Sequence, residues 1–210
     1  MIKVVNHRSL DRNGHLLVGQ FKLRYKEFIQ RQDYEVKTFD GMEYDQYDTP
    51  AATYLVYEEE DGSVQGVSRL TPVMNGCMLK DLWPHLVENK EQFEDQEIWE
   101  GTRFCINKDL PPDQRRRICY EISLAYVEYG MQEGIKKIIG MMPTFILKSV
   151  FERSGITLER LGPVFDMAGF SKVQAAGIPV NLDQIKNVRR KTGLFSVLND
   201  FESLGAIKAA

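Results

Sequence analysis

From about Leu16 to Gln32 the apolar positions Leu16, Leu17, Phe21, Leu23, Phe28 and Ile29 suit a helix better than a strand, and charged residues occupy much of the remaining surface. Residues 1–6 (MIKVVN) have the character of a short strand. Residues 33–52 are rich in Asp, Glu, Gly and Tyr without clear periodicity, which predicts a long ordered loop of the kind that often carries function. Two β-rich runs follow, Thr53–Glu59 and Val64–Thr71. Between them stands Glu60-Asp61-Gly62-Ser63, whose Asp-Gly step is a hairpin signal.

Ile98–Ile106 predicts a third strand after an irregular stretch holding Trp83 and Pro84. Pro111-Pro112-Asp113 opens a helix to about Gln132, because proline suits a first helical turn and Ile118, Ile122, Tyr126 and Tyr129 recur along one face. Beyond it the pattern predicts a buried strand at Ile135–Met142 and a helix over Thr144–Ser154 stopped by Gly155. Strands are expected at Ile156–Leu161 and Ser171–Ala176. The order is helix, three strands, helix, strand, helix, strands, with no internal repeat.

The 210 residues suit one α/β domain spanning 1–210, with 181–210 as a short helical extension. Lys and Arg total 27 against 30 Asp and Glu, a formal charge of -3, which argues against a protein that grips nucleic acid over a wide basic face. No run approaches the ~20 apolar residues of a membrane span, and no targeting segment opens the chain, so a soluble, cytoplasmic protein is expected. Cys77, Cys105 and Cys119 are odd in number and contain no CxxC pair, suggesting neither a disulfide framework nor a zinc cluster.

Three groups of residues carry candidate chemistry. Arg24, Phe28 and Arg31 stand at spacings of four and three, so on an α-helix two guanidinium groups and a ring share a face, with Tyr34 just beyond. A solvated basic stripe beside one core Phe is the alternative. Asp45 and Asp48 lie in Glu43-Tyr44-Asp45-Gln46-Tyr47-Asp48, where no histidine is near and the spacing is not that of a calcium loop. Such acids either cradle an organic cation or form a solvated loop. Arg69, Glu100 and Arg103 fall inside β-rich runs, where buried charge is tolerated only when paired, and together they would make a rigid polar platform.

The ordered set Arg24-x3-Phe28-x2-Arg31-x2-Tyr34-Glu35-Val36, Asp45-x2-Asp48, Arg69-Leu70 and Glu100-x-Thr102-Arg103-Phe104 resembles the signature of the acyl-homoserine-lactone synthases, the autoinducer synthases of bacterial quorum sensing. Each fragment is common, but the ordered set over roughly residues 20–105 is specific. One departure is Tyr34, where the family usually has Trp, which keeps an aromatic surface of different area and hydrogen bonding.

The resemblance implies an N-acetyltransferase-like three-layer sandwich, a mixed twisted sheet whose central strands splay to admit an acyl thioester. It implies that Glu100 is the base that takes a proton from the amine of S-adenosylmethionine. Arg24, Phe28, Arg31, Tyr34, Asp45, Asp48, Arg69, Arg103 and Phe104 are then the binding platform, with Arg24 a partner for the substrate carboxylate. S-adenosylmethionine is a substrate, and neither a cofactor nor a metal is implied. The acyl donor is an acyl-carrier protein or acyl-CoA. The stretch Asp113-Gln114-Arg115-Arg116-Arg117 stands where an acetyl-CoA enzyme wants close backbone approach to pyrophosphate, which favours the carrier protein. Such carriers are acidic, making Arg115, Arg116, Arg117, Lys148 and Arg153 candidate docking residues.

Met141, Met142, Thr144 and Phe145 lie where the family lines its acyl pocket. Several relatives carry threonine near the position of Met141 and prefer a 3-oxo chain, so methionine here implies an unsubstituted acyl group. The rival readings are an N-acyltransferase of the same fold that makes N-acyl amino acids, and a non-catalytic binding module with a charged core network.

Overall fold

The computed structural model describes residues 1–33, 35–167 and 172–198. Strand β1 (Ile2–Val5) leads into helix α1 (Leu10–Arg24), which continues without a break as a π-helical segment, Tyr25–Gln30. The acidic stretch after it contains a small hairpin of β2 (Thr38–Phe39) and β3 (Met42–Glu43), where a plain loop was expected. The Asp-Gly hairpin forms between β4 (Thr53–Glu58) and β5 (Val64–Pro72), with Gly62 taking the positive φ of 83° that the turn needs.

The segment between β5 and β6 (Ile98–Ile106) is more ordered than its sequence suggests. It holds a five-residue helix α2 (Met78–Leu82) among short 3-10 turns. Helix α3 (Pro112–Gln132) starts at its second proline, as the sequence predicts. Strand β7 (Lys137–Pro143) is followed by one helical turn, α4 (Thr144–Ile146), and a second π-helical segment, Leu147–Glu152. The C-terminal third has short strands β8 (Glu159–Arg160) and β9 (Phe165–Asp166), then β10 (Lys172–Pro179) and helix α5 (Leu182–Thr192). Of the strand expected at Ile156–Leu161 only β8 forms, and Ser171 lies outside the described residues.

The main sheet runs β1-β4-β5-β6-β7-β10-β8, with β9 also pairing β10. All pairs are antiparallel except β6–β7. Each face carries a helical layer. On one, α1 covers Tyr54, Val56, Val67 and Cys105. On the other, α3 buries nearly every side chain from Ile118 to Gly130 against Leu55, Leu70 and Ile138. Apolar area withdrawn from water on both faces is what holds the layers together.

The parallel pair defines the architecture. Strands β6 and β7 pair only at Ile98–Lys137, Trp99–Ile138 and Glu100–Ile139, yet β6 runs on to Ile106 and β7 to Pro143. Beyond Glu100 the two central strands part, leaving a cleft through the sheet. A Cβ on Gly140 would stand 2.7 Å from the Gly101 carbonyl oxygen, so the strands meet this closely at the fork only with glycine there. The expected mixed sheet, three layers and splayed strands are all present.

Candidate functional site

The charged residues singled out from sequence form a buried lattice on the α1 face. The Arg24 guanidinium, fully buried, donates to Glu43 at 2.5 Å, to both oxygens of Asp48 at 2.8 and 2.9 Å, and to Gln20. Arg69, also fully buried, donates to Asp45 at 2.6 and 3.2 Å and to the Thr102 hydroxyl, and stands 2.8 Å from Asp48. Arg103 reaches Glu43 at 3.1 Å and Asp45 at 2.6 Å. Two guanidinium groups hold the Asp48 carboxyl far below the usual carboxylate range, against the upward push of burial.

These pairings correct three expectations. Asp45 and Asp48 do cradle organic cations, but the cations are the chain's own arginines. Arg24 is too enclosed to meet a substrate carboxylate. Arg24 and Arg31 do not share a face, because the widening to a π-helix between them changes the angular step per residue. Arg31 is instead turned outward, half-exposed, to Asp109 and Glu27. Glu43 was missed as a site residue. It is fully buried and bridges Arg24 and Arg103 from the end of β3, and its only signal was its place two residues before Asp45.

Arg103 owes its position to a bulge. Between the pairs Val67–Cys105 and Arg69–Thr102, β5 has one residue, Ser68, and β6 has two, Arg103 and Phe104. Simple alternation would send Arg103 to the face opposite Glu100 and Thr102. The extra residue and a φ of 52° turn it back to their side. A left-handed arginine costs of order 1–3 kcal/mol, the kind of strain kept at working sites.

Glu100 stands apart from the lattice. It does not pair with Arg69, contrary to the expected platform, and among the described residues it makes no salt bridge. Its carboxylate oxygens accept backbone N–H groups of Met78 at 2.7 Å and Leu79 at 2.6 Å, the first turn of α2. Burial pushes Glu100 up to about 7, against the downward pull of those N–H groups and of Arg69. A carboxyl poised there takes up and releases a proton near neutrality. Burial, with help from the Glu100 charge, pushes neighbouring Cys77 up to about 12, so it stays a thiol and offers no rival nucleophile.

Two cavities adjoin at Gly101, next to Glu100. The larger, about 730 Å³, opens on the α1 face and is lined by Phe28, Asp33, Glu35, Glu43, Glu100, Arg103 and Phe104, with Met141 and Met142 along its β7 side. The smaller, about 30 Å³, lies on the α3 face among Tyr126, Ile138, Met142, Leu147 and Phe151. Gly101 and Met142 line both, so the cavities adjoin where β6 and β7 part. Thr144 and Phe145, expected in the acyl pocket, line neither. Pro143 ends β7 and the helical turn throws Phe145 outward, where it is 57% exposed. Tyr34 lies outside the described residues.

No group of His, Cys, Asp and Glu able to hold a metal occurs among the described residues. No helix among them is long and apolar enough to cross a membrane. Comparison with known proteins agrees with the geometry. The family model described as autoinducer synthase matches residues 9–188. An acyl-homoserine-lactone synthase of Vibrio anguillarum is 33% identical over 167 residues, covering 78% of this chain and 86% of that protein.

Among solved structures, the CoA-dependent acyl-homoserine lactone synthase BjaI, with SAM and isopentyl-CoA, superposes with a TM-score of 0.81 at 23% identity over 98% of each chain. A protein of Lactobacillus plantarum described as an N-acetyltransferase shares the fold more distantly, with a TM-score of 0.55 at 14% identity over 86% of this chain and 99% of that one. The chain belongs to the autoinducer synthases, the acyltransferases that make acyl-homoserine lactones.

Proposed function

We propose that the chain transfers an acyl group from a carrier thioester to the amine of S-adenosylmethionine and then closes the product to a lactone with release of methylthioadenosine. The observation that carries this reading is that an acid-lined cavity holding Glu100 adjoins an apolar one at the next residue, Gly101. Asp33, Glu35, Glu43 and Glu100 face the larger cavity against Arg103, a setting that favours a substrate carrying a sulfonium and an ammonium. The apolar side chains beyond the fork mark the side on which the acyl tail runs, and the space of about 30 Å³ among them has to widen to take it.

An ammonium has no lone pair with which to attack a thioester, so the amine must first lose a proton. Glu100, near 7, takes it directly or through a water. The free amine attacks the thioester carbonyl, and a backbone N–H at the Arg103–Phe104 bulge steadies the oxyanion until the thiol leaves. In the second step the substrate carboxylate displaces methylthioadenosine from the γ-carbon. The sulfonium is already a good leaving group, so orientation is what the protein must supply.

Phe28 and Phe104 line the cavity as candidate faces for the cation. Arg103, rather than Arg24, is the arginine placed to meet the carboxylate, while Arg24, Asp45, Asp48 and Arg69 organise the wall behind it. Met141 and Met142 offer no hydrogen bond to a 3-oxo group, which favours an unsubstituted chain over a 3-oxo one. The donor is an acyl-carrier protein, docking on the stretch from α4 through the second π-helical segment, where Phe145, Lys148 and Arg153 are exposed. Higher kcat/KM with acyl-CoA than with acyl-carrier protein would reverse that assignment.

The reaction is tested by supplying purified protein with S-adenosylmethionine and a panel of acyl thioesters. Lactone and methylthioadenosine in equal amounts are expected. Acylation of amino acids without methylthioadenosine would instead establish the N-acyl amino acid activity.

A further inference from the structure

We propose that Tyr126 reads the third carbon of the acyl chain, accepting a hydrogen bond from a hydroxyl there and rejecting a keto oxygen. The proposal rests on the acyltransferase reading above and goes beyond it by naming the substituent.

Tyr126 projects from α3, is buried, and lines the apolar cavity. Its hydroxyl is 2.8 Å from where a Cβ on Gly101 would stand, so it lies beside the residue shared by both cavities. An acyl chain whose thioester carbonyl is attacked beside Glu100 passes Gly101 as it enters the apolar side. The third carbon, two beyond the carbonyl, comes level with this phenol. The surrounding wall of Ile138, Ile139, Met142, Leu147 and Phe151 provides no hydrogen-bonding side chain except the thioether of Met142.

The proton count fixes what the phenol can do. Ser68 Oγ stands 3.1 Å from the Thr102 carbonyl oxygen, which only accepts, so the single serine proton points there. Tyr126 Oη lies 2.5 Å from the same Ser68 Oγ, and with the serine proton committed the phenol is the donor. Burial pushes the phenol well above its ordinary range, so it keeps that proton. What remains on Tyr126 Oη is acceptor capacity. A 3-hydroxyl has a proton to give it. A 3-oxo group has only lone pairs, so two acceptors would face each other in an apolar wall.

The test compares six-carbon unsubstituted, 3-hydroxy and 3-oxo thioesters on one carrier with S-adenosylmethionine, following methylthioadenosine release by the parent chain, Tyr126→Phe and Ser68→Ala. In the parent, kcat/KM for the 3-hydroxy donor should exceed that for the 3-oxo donor by about tenfold or more. Tyr126→Phe should bring the two within about twofold. Ser68→Ala, which frees the phenol proton, should raise the 3-oxo donor relative to the 3-hydroxy one.

These are ratios within one protein, so a general loss of activity or stability does not move them. A parent that prefers the 3-oxo donor, or a Tyr126→Phe chain that keeps the parent ratio, overturns the proposal. Turnover of no thioester would count against the acyltransferase reading instead. Calorimetry with the same acyl chains as pantetheine amides then ranks the three by affinity, and a 3-oxo chain binding as well as the 3-hydroxy chain sinks the proposal on its own.

Discussion

Two groups of buried charge lie along one cavity and meet opposite fates. In the lattice of Arg24, Arg69, Arg103, Glu43, Asp45 and Asp48, each carboxylate holds at least one guanidinium at hydrogen-bonding distance, and two guanidinium groups keep Asp48 ionised. Glu100 faces the same cavity with two backbone N–H groups and no ion pair among the described residues, and burial lifts it to about 7. Full pairing turns charge into scaffold. Burial without an ion pair leaves a carboxyl able to change its charge at neutral pH.

The comparison breaks most visibly at Asp48, which serves both Arg24 and Arg69. Asp48→Ala takes one of two carboxylate partners from each of two buried guanidinium groups, leaving Arg24 with Glu43 and Arg69 with Asp45, and should destabilise the fold by about 3–5 kcal/mol in denaturant titrations. A loss of under about 1 kcal/mol would mean that the lattice is far better hydrated than its enclosure implies.

A second effect separates the groups by the sign of their response to pH. Asp48 is depressed in the folded chain, so its stabilisation is present above the ordinary value of 3.8 and is lost as pH falls through its lowered value. Glu100 is raised, so its contribution is present below 4.5 and fades as pH rises through about 7. Between those limits the parent should lose stability relative to Glu100→Gln, measured by urea midpoints across the range. Parallel curves would show that Glu100 titrates as an ordinary glutamate.

The smallest effect is expected at Asp109, which is exposed and pairs with half-exposed Lys26 and Arg31. Asp109→Ala should shift Tm by less than about 3 °C, since exposed pairs contribute little. A larger shift would mean that the lattice extends to the surface.

How far the sequence speaks differs along the same line. The Asp-Gly hairpin, β6 and the proline start of α3 were legible because local turn chemistry and periodicity decide them. The π-helical segments, α2 and the bulge at Arg103 were not, because each depends on packing against distant elements rather than on its own residues. In the site, residue types and spacing marked Arg24, Asp45, Asp48, Arg69, Glu100 and Arg103, but not who pairs with whom. Glu43 looked like one more acid in a polar loop. Ser68 and Tyr126 carried no signal, since a serine in a strand and a tyrosine on an apolar helix face are ordinary. Their juxtaposition exists only where β5 packs on α3.

The central claim is that Glu100 is the titrating base, and the pH profile of methylthioadenosine release tests it most directly. For the parent, kcat/KM should rise with pH through an inflection near 7. For folded Glu100→Gln it should fall by about 10²–10⁴-fold and lose that inflection. A Glu100→Gln protein that keeps both the rate and the inflection would remove Glu100 from the chemistry and assign the proton to another group.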